Sequence, residues 1–230
     1  MLCASALVFA LQMIPTEWDA MSQPIHRLAD ACQKILVEIE RRTQQRQAPV
    51  LVALDGGSGA GKSTFAAMLE RQIDAVVVPL DDFFAAHIPD WAWDARSIAE
   101  RARDVFDWQR LRADALEPLL AGRSAIWHPF DFAAGLRPDG TYALSEQTVE
   151  RHPAAVIILD GAYSTSPEIA DLIDLTVLVY VPVSERHKRL AEREDERFLQ
   201  RWHAIWDDVE KYYFTEMRPK SSFNLVVSGQ

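Results

Sequence analysis

The sequence predicts an α/β fold in three layers, with a mostly parallel central sheet and helices on both faces. Two observations carry this reading. Short, continuous apolar runs alternate with helical patterns along most of the chain, and the first of those runs ends in a glycine cluster that opens a helix. Runs that are apolar without alternation suit strands buried on both faces, the situation found in parallel sheets covered by helices.

Residues 1–21 read as an N-terminal extension upstream of the true start. The segment "MLCASALVFALQMI" is apolar, but no Lys or Arg precedes it, and it is too short to span a membrane as a helix. Met21 followed by "SQPIHRLADAC" reads as a start, with a packed N-terminal segment as the competing reading. Residues 22–230 then read as one domain, since no repeat, low-complexity tract or linker divides them. From Ile25 to about Gln47, apolar residues at Ile25, Leu28, Ala31/Cys32, Ile35/Leu36 and Ile39 recur every three to four positions, which is an amphipathic helix.

The strands are expected at "APVLVALD" (48–55), "AVVVPL" (75–80), "AVIILD" (155–160), "LTVLVYV" (175–181) and "FNLVV" (223–227). Helices are expected at Lys62–Gln72, Trp108–Leu120 and, as one long element, Ser184–Phe214. In its last part Trp202, Ile205/Trp206, Val209 and Tyr213 share a face that should pack on the domain. Residues 85–107 and 128–152 fit no core strand and read as excursions around the strand ends. Of Trp91, Trp93, Trp108 and Trp127, at least two are expected in the core.

The net charge of −10 argues against a nucleic-acid backbone or an anionic membrane as partner, while leaving room for a local basic patch that binds a small anion. The two cysteines, Cys3 and Cys32, and the six histidines show no metal-ligand spacing along the chain, so no structural zinc site is expected. A cytoplasmic location is expected, and a homo-oligomer is compatible with the sequence.

The glycine cluster carries the chemistry. "GGSGAGKST" contains Gly56, four residues, then Gly61-Lys62-Ser63, the P-loop pattern. Glycines let backbone N–H groups turn inward around an anion, and the helix starting near Lys62 adds its positive end. Gly56, Gly57, Ser58, Gly59, Ala60, Gly61, Lys62, Ser63 and Thr64 are therefore the expected nucleotide-binding residues. Lys62 would reach the outer phosphates and Ser63 would ligate Mg²⁺. The fold expected is that of P-loop NTPases.

Other strand ends deliver acidic groups to the same crevice. Asp81 and Asp82 follow "AVVVPL", and Asp160-Gly161 follows "AVIIL". A carboxylate near the γ-phosphate can orient an acceptor hydroxyl and take its proton. Asp160 fits the second metal-holding position. In "SERHKRLAERED" Arg186, Arg189 and Arg193 fall at helical spacing. That row is either a solvated, salt-bridged face or a lid that neutralises charge on a transferring phosphoryl group.

In this order, "GGSGAGKST", "PLDDFF", "WHPFDF", "VIILDGAY" and "VYVPVSERHKRLAERED" resemble the uridine kinase-like family of P-loop kinases, related to phosphoribulokinase and bacterial pantothenate kinases, over about residues 50–229. The resemblance implies an ATP- and Mg²⁺-dependent kinase of a small hydroxyl-bearing metabolite, a nucleoside first of all. It implies Asp81 as the residue that activates the acceptor hydroxyl, Phe84 in place of the family's tyrosine, and Asp82 beside them. Phe130 and Asp131 match the Tyr-Asp segment whose ring packs on the base, and Arg186, Arg189 and Arg193 match lid arginines. One departure stands out. The histidine that follows this segment in uridine kinases is missing from "FDFAAGLR", so a sugar, a pantothenate-like molecule or an antibiotic stays open as acceptor. Two other function classes compete. One is a GTPase or ATPase switch: guanine-specific switches of the Ras type carry an Asn-Lys-x-Asp segment, which this chain lacks, and a switch needs no acceptor pocket such as the Asp81–Phe84 segment and the arginine row suggest. The other is a catalytically dead nucleotide binder, which would not need Lys62, Ser63, Asp81 and Asp160 intact.

Overall fold

In the computed structural model, which describes residues 17–230, five parallel strands form the centre in the order β2-β5-β1-β6-β7. They are β1 (Val50–Asp55), β2 (Ala75–Pro79), β5 (Val156–Asp160), β6 (Leu175–Tyr180) and β7 (Leu225–Ser228). All five lie within or at the edge of the apolar runs seen in the sequence. Every residue of β1 is buried, as a strand with a neighbour on each side and helices above and below requires. Residues 1–16 of the expected N-terminal extension lie outside the described residues, and helix α1 occupies Glu17–Thr43.

Alternation along the strands divides the core into two layers. Leu51, Val76, Val78, Ile157 and Leu159 face one side, where they meet Ala102, Leu111, Leu119, Ile205, Trp206 and Val209. Val50, Val52, Leu54, Ile158, Val177 and Val179 face the other, against Cys32, Ile35 and Ile39 of α1 and Phe65 and Leu69 of α2 (Lys62–Glu70). The helices of the first layer are α4 (Ile98–Asp104), α5 (Trp108–Arg110), which passes through a π-helical turn at Leu111–Leu116 into α6 (Glu117–Leu120), and the C-terminal α8 (Glu196–Tyr212).

Neither excursion supplies a strand of the central sheet, as read, but both carry structure of their own, and one helix differs from the sequence reading. Residues 85–107 carry two short helices, α3 (Asp90–Ala95) and α4, the latter opened by a capping box between Ser97 and Glu100. The 128–152 excursion returns as β4 (Val149–Arg151), which pairs antiparallel with the short β3 (Ala125–Trp127). The single helix expected over 184–214 is two: α7 (Val183–Ala191) ends, and α8 starts after Asp195, whose carbonyl accepts the Leu199 N–H at 3.0 Å. The break folds α8 back along α7 and brings Glu210 to Arg186 and His203 to His187. Trp93 and Trp127 are core residues, Trp108 packs half-buried on the core, and Trp91 is exposed.

Candidate active site

The site begins at Asp55, the last residue of β1, which is fully buried. A buried carboxylate must find donors, and this one finds five: the backbone N–H of Gly56 (2.7 Å), Tyr163 (2.9 Å) and Thr165 (3.0 Å), and the hydroxyls of Thr165 (2.6 Å) and Tyr213 (2.7 Å). It thereby ties the first residue of the glycine loop to the segment after β5 and to the end of the C-terminal helix. Tyr163 is held in the left-handed region at φ 68, a strained position for a residue with a side chain. Neither Asp55 nor Tyr163 was singled out from the sequence. The usable signal for Asp55 was a charged residue closing an otherwise apolar buried strand.

A second clamp grips the loop from its outer side. Arg186, only 5% exposed, forms a two-pronged ion pair with Glu210 at 3.1 and 2.5 Å and donates to the carbonyl of Ser58 at 2.9 Å. Glu210 also accepts the Ser58 N–H at 3.2 Å. Gly57 packs directly on the guanidinium, so a side chain there would collide with it. Arg186, expected over the site with the other lid arginines, thus lies behind the loop. Its partner Glu210 went unread because the long helix expected there separates the two by sequence.

Inside the loop, α2 presents its N-terminus after Gly61, which takes φ +91. The Lys62 ammonium donates to the carbonyls of Gly56 at 2.8 Å and Gly57 at 3.3 Å. Because β5 lies between β2 and β1, Asp160 pairs in register with both Pro79 and Leu54, and so sits between Asp81 and the loop. Gly161 makes the approach possible, since a side chain there would run into Leu80. Burial pushes the Asp160 carboxyl above the usual carboxylate range, against the pull of the Ser63 hydroxyl and the Lys62 charge. Its Oδ1 is buried without a hydrogen-bond partner among the described residues. An unsatisfied carboxylate oxygen beside a serine hydroxyl is a hard-oxygen donor set that fits Mg²⁺.

Asp81 is open to solvent at the mouth of the cleft, yet protein surrounds it on its other sides. That enclosure raises its carboxyl pKa; Lys62 opposes the rise, while Asp160 and Asp82 reinforce it. Asp81 lines two cavities at once. One, about 440 Å³, holds the loop, Lys62, Ser63, Asp160, Arg189 and Arg193. The other, about 470 Å³, is walled by Phe84, Phe106, Phe132, Tyr163, Trp202 and Trp206. Arg193, exposed and paired with Glu194 at 2.7 Å, also borders both. Arg189 reaches the carbonyls of Gly59 and Gly229, each at 3.2 Å.

The remaining expected residues fall nearby but outside this junction. The Asp82 carboxylate turns away to accept the indole N–H of Trp127 at 2.8 Å, so it anchors β3 and does not line either cavity. Phe130 packs against Phe84 and Phe132 in the aromatic cluster that continues the second cavity. Asp131 accepts the N–H groups of Ala133 and Ala134, closing its own turn.

A family model described as Zeta toxin matches residues 34–110, the stretch that includes the loop and Asp81. A uridine kinase from Mycoplasma pneumoniae is 27% identical over 183 residues, covering 75% of this chain and 82% of that protein. Among solved structures, a possible uridine kinase from Bacillus stearothermophilus superposes with a TM-score of 0.64 at 18% identity, over 88% of this chain and 97% of that one. D-glycerate 3-kinase from Cryptococcus neoformans does so with a TM-score of 0.60 at 14% identity, over 88% and 95%. The structural likenesses concern the fold, a P-loop α/β architecture. By sequence the chain is similar to uridine kinases, a likeness that supports a phosphotransferase with an alcohol group as acceptor, and its fold is that of the P-loop α/β proteins.

Proposed function

We propose that the chain transfers the γ-phosphoryl group of ATP to a hydroxyl of a small metabolite with a planar ring, a nucleoside of the uridine or cytidine kind. The observation that carries this reading is the position of Asp81 at the common wall of a phosphate-binding cavity and an aromatic one. The backbone N–H groups of residues 56–64 and the N-terminus of α2 would cradle the phosphates, with Lys62 on the outer ones. Ser63 and Asp160 would hold Mg²⁺, which when bound neutralises charge on the phosphate oxygens. Asp81 would orient the acceptor hydroxyl and take its proton as the new O–P bond forms. Arg189 and Arg193 would offset charge on the moving group and close the cleft to water.

Six aromatic rings support a flat, ring-bearing acceptor, since stacking on such faces is worth about 0.5–1.5 kcal/mol per pair beyond area burial. The wall of the second cavity offers few charged groups, Asp81, Arg193 and Glu194 among them. The missing histidine supports a second reading, in which the acceptor is a different small alcohol, and the scarcity of charge favours an uncharged one.

The test is ADP release from Mg-ATP in the presence of uridine, cytidine, other nucleosides, pantothenate and simple sugars. Turnover with one acceptor is expected, and Lys62→Ala should lower kcat about 10²–10³-fold by removing a preorganised cation from the phosphates. ATP hydrolysis indifferent to every acceptor would defeat the reading. Within the same assay, Trp202→Ala is expected to raise the acceptor KM up to about tenfold through lost stacking, while the KM for ATP stays put. An equal rise in both constants would remove Trp202 from the acceptor pocket.

A further inference from the structure

The fold assembles a second cluster of ligand-type side chains away from the cleft. His187 stands on α7, and His203 and Asp207 stand one turn apart on α8. His203 Nδ1 lies 2.9 Å from Asp207 Oδ1, His187 Nε2 lies 3.8 Å from the same oxygen, and the two rings are 4.4 Å apart between centroids. One ligand atom from each residue falls within 4.8 Å of the others. Ligand atoms around a tetrahedral zinc ion, bound at about 2.0–2.1 Å, stand about 3.3 Å from one another. The observed separations bracket that value, and small rotations of exposed side chains would meet it.

We propose that His187, His203 and Asp207 form a binding site for a zinc-class divalent cation that joins α7 to α8. Two imidazoles and a carboxylate are borderline ligands that suit Zn²⁺ and Co²⁺ and are poorly matched to Mg²⁺, which prefers an all-oxygen octahedron. The side chains are 39%, 28% and 45% exposed, so water completes the coordination from the solvent side. His187 and Asp207 also border a cavity of about 430 Å³ beside Gly57, Arg186 and Glu210. The site is therefore next to the clamp that holds the loop, and a bound ion fastens the two helices that supply it. An i, i+4 His–Asp hydrogen bond on α8 alone would not require His187, which comes from a different helix.

The experiment is titration of the whole chain with Co²⁺ and Zn²⁺. Wild type is expected to bind one equivalent of Co²⁺ with visible absorption bands of four- or five-coordination, displaced by Zn²⁺. His187→Ala and Asp207→Asn should each weaken binding by about 10²-fold or more, since even outer-shell changes cost 10–100-fold. Asp160→Asn should leave the bands unchanged, which separates this site from the Mg²⁺ position. His203→Ala should lose the bands while keeping its circular dichroism and its turnover with Mg-ATP. Bands that persist in His187→Ala and Asp207→Asn, or a wild type that binds no Co²⁺ at millimolar concentration, overturn the proposal. Neither result bears on the kinase reading, because the readout is spectroscopic and none of the three residues lines the cleft.

Discussion

Asp81→Asn is expected to lower kcat by about 10²–10⁴-fold, the range supplied by a positioned general base, with the KM for ATP nearly unchanged. The prediction follows from placement. Asp81 borders both the phosphate cavity and the aromatic cavity, whereas Asp82, its neighbour in sequence, is committed to Trp127. Asp82→Asn should accordingly keep most of the turnover, because the amide oxygen can still accept the indole N–H. The reverse pattern would exchange the roles of the two carboxylates.

The raised pKa of Asp81 adds a pH signature. A base must be deprotonated to act, so kcat/KM should fall on the acid side through a pKa above the ordinary carboxylate value of about 3.9. The stability effect has the opposite sense. With the folded pKa raised, the folded state binds more protons than the unfolded one between the two pKa values, so stability falls as pH rises through that window. At neutral pH the charged Asp81 and Asp160 therefore work against folding of the nucleotide- and metal-free protein. Asp81→Asn should melt at a higher temperature than wild type while being nearly inactive. A lower melting temperature would show that the carboxylate is better accommodated than its surroundings imply.

How far the sequence reached can be traced residue by residue. Continuous apolar runs located the five strands of the central sheet, most plainly β1 and β5, which are buried on both faces. The glycine loop, Lys62, Asp81 and Asp160 were legible because strand ends in such sheets deliver residues to one crevice. What stayed hidden depends on the turn between α7 and α8. Read as one helix, residues 184–214 place Arg186 among outward-facing lid residues and leave Glu210 more than six turns from Arg186 and His203 more than four turns from His187. Broken at Asp195, the same residues fold back, and Arg186 meets Glu210 while His187 meets His203. The break between the two helices decides which side chains meet. Strand β3 was missed for another reason: three residues, Ala125–Trp127, are too few for periodicity to register.

Glu210→Ala is expected to destabilise the protein by about 3–5 kcal/mol, because it leaves Arg186 buried without its counter-charge. For a domain of this size that corresponds to a fall in Tm of about 10 °C. The loop also loses the acceptor of the Ser58 N–H, so the KM for ATP should rise. Combining Arg186→Met with Glu210→Leu separates the two consequences. An apolar pair of similar volume removes the unpaired charge and should return much of the lost stability. It cannot restore the contacts to Ser58, so the ATP KM should remain high while kcat recovers once ATP saturates. That split distinguishes a residue that shapes the loop from one that meets the transferring phosphoryl group. If the double variant instead bound ATP normally and lost kcat, Arg186 would belong with Arg189 and Arg193 over the cleft, and the clamp behind the loop would be a by-product of where those helices pack.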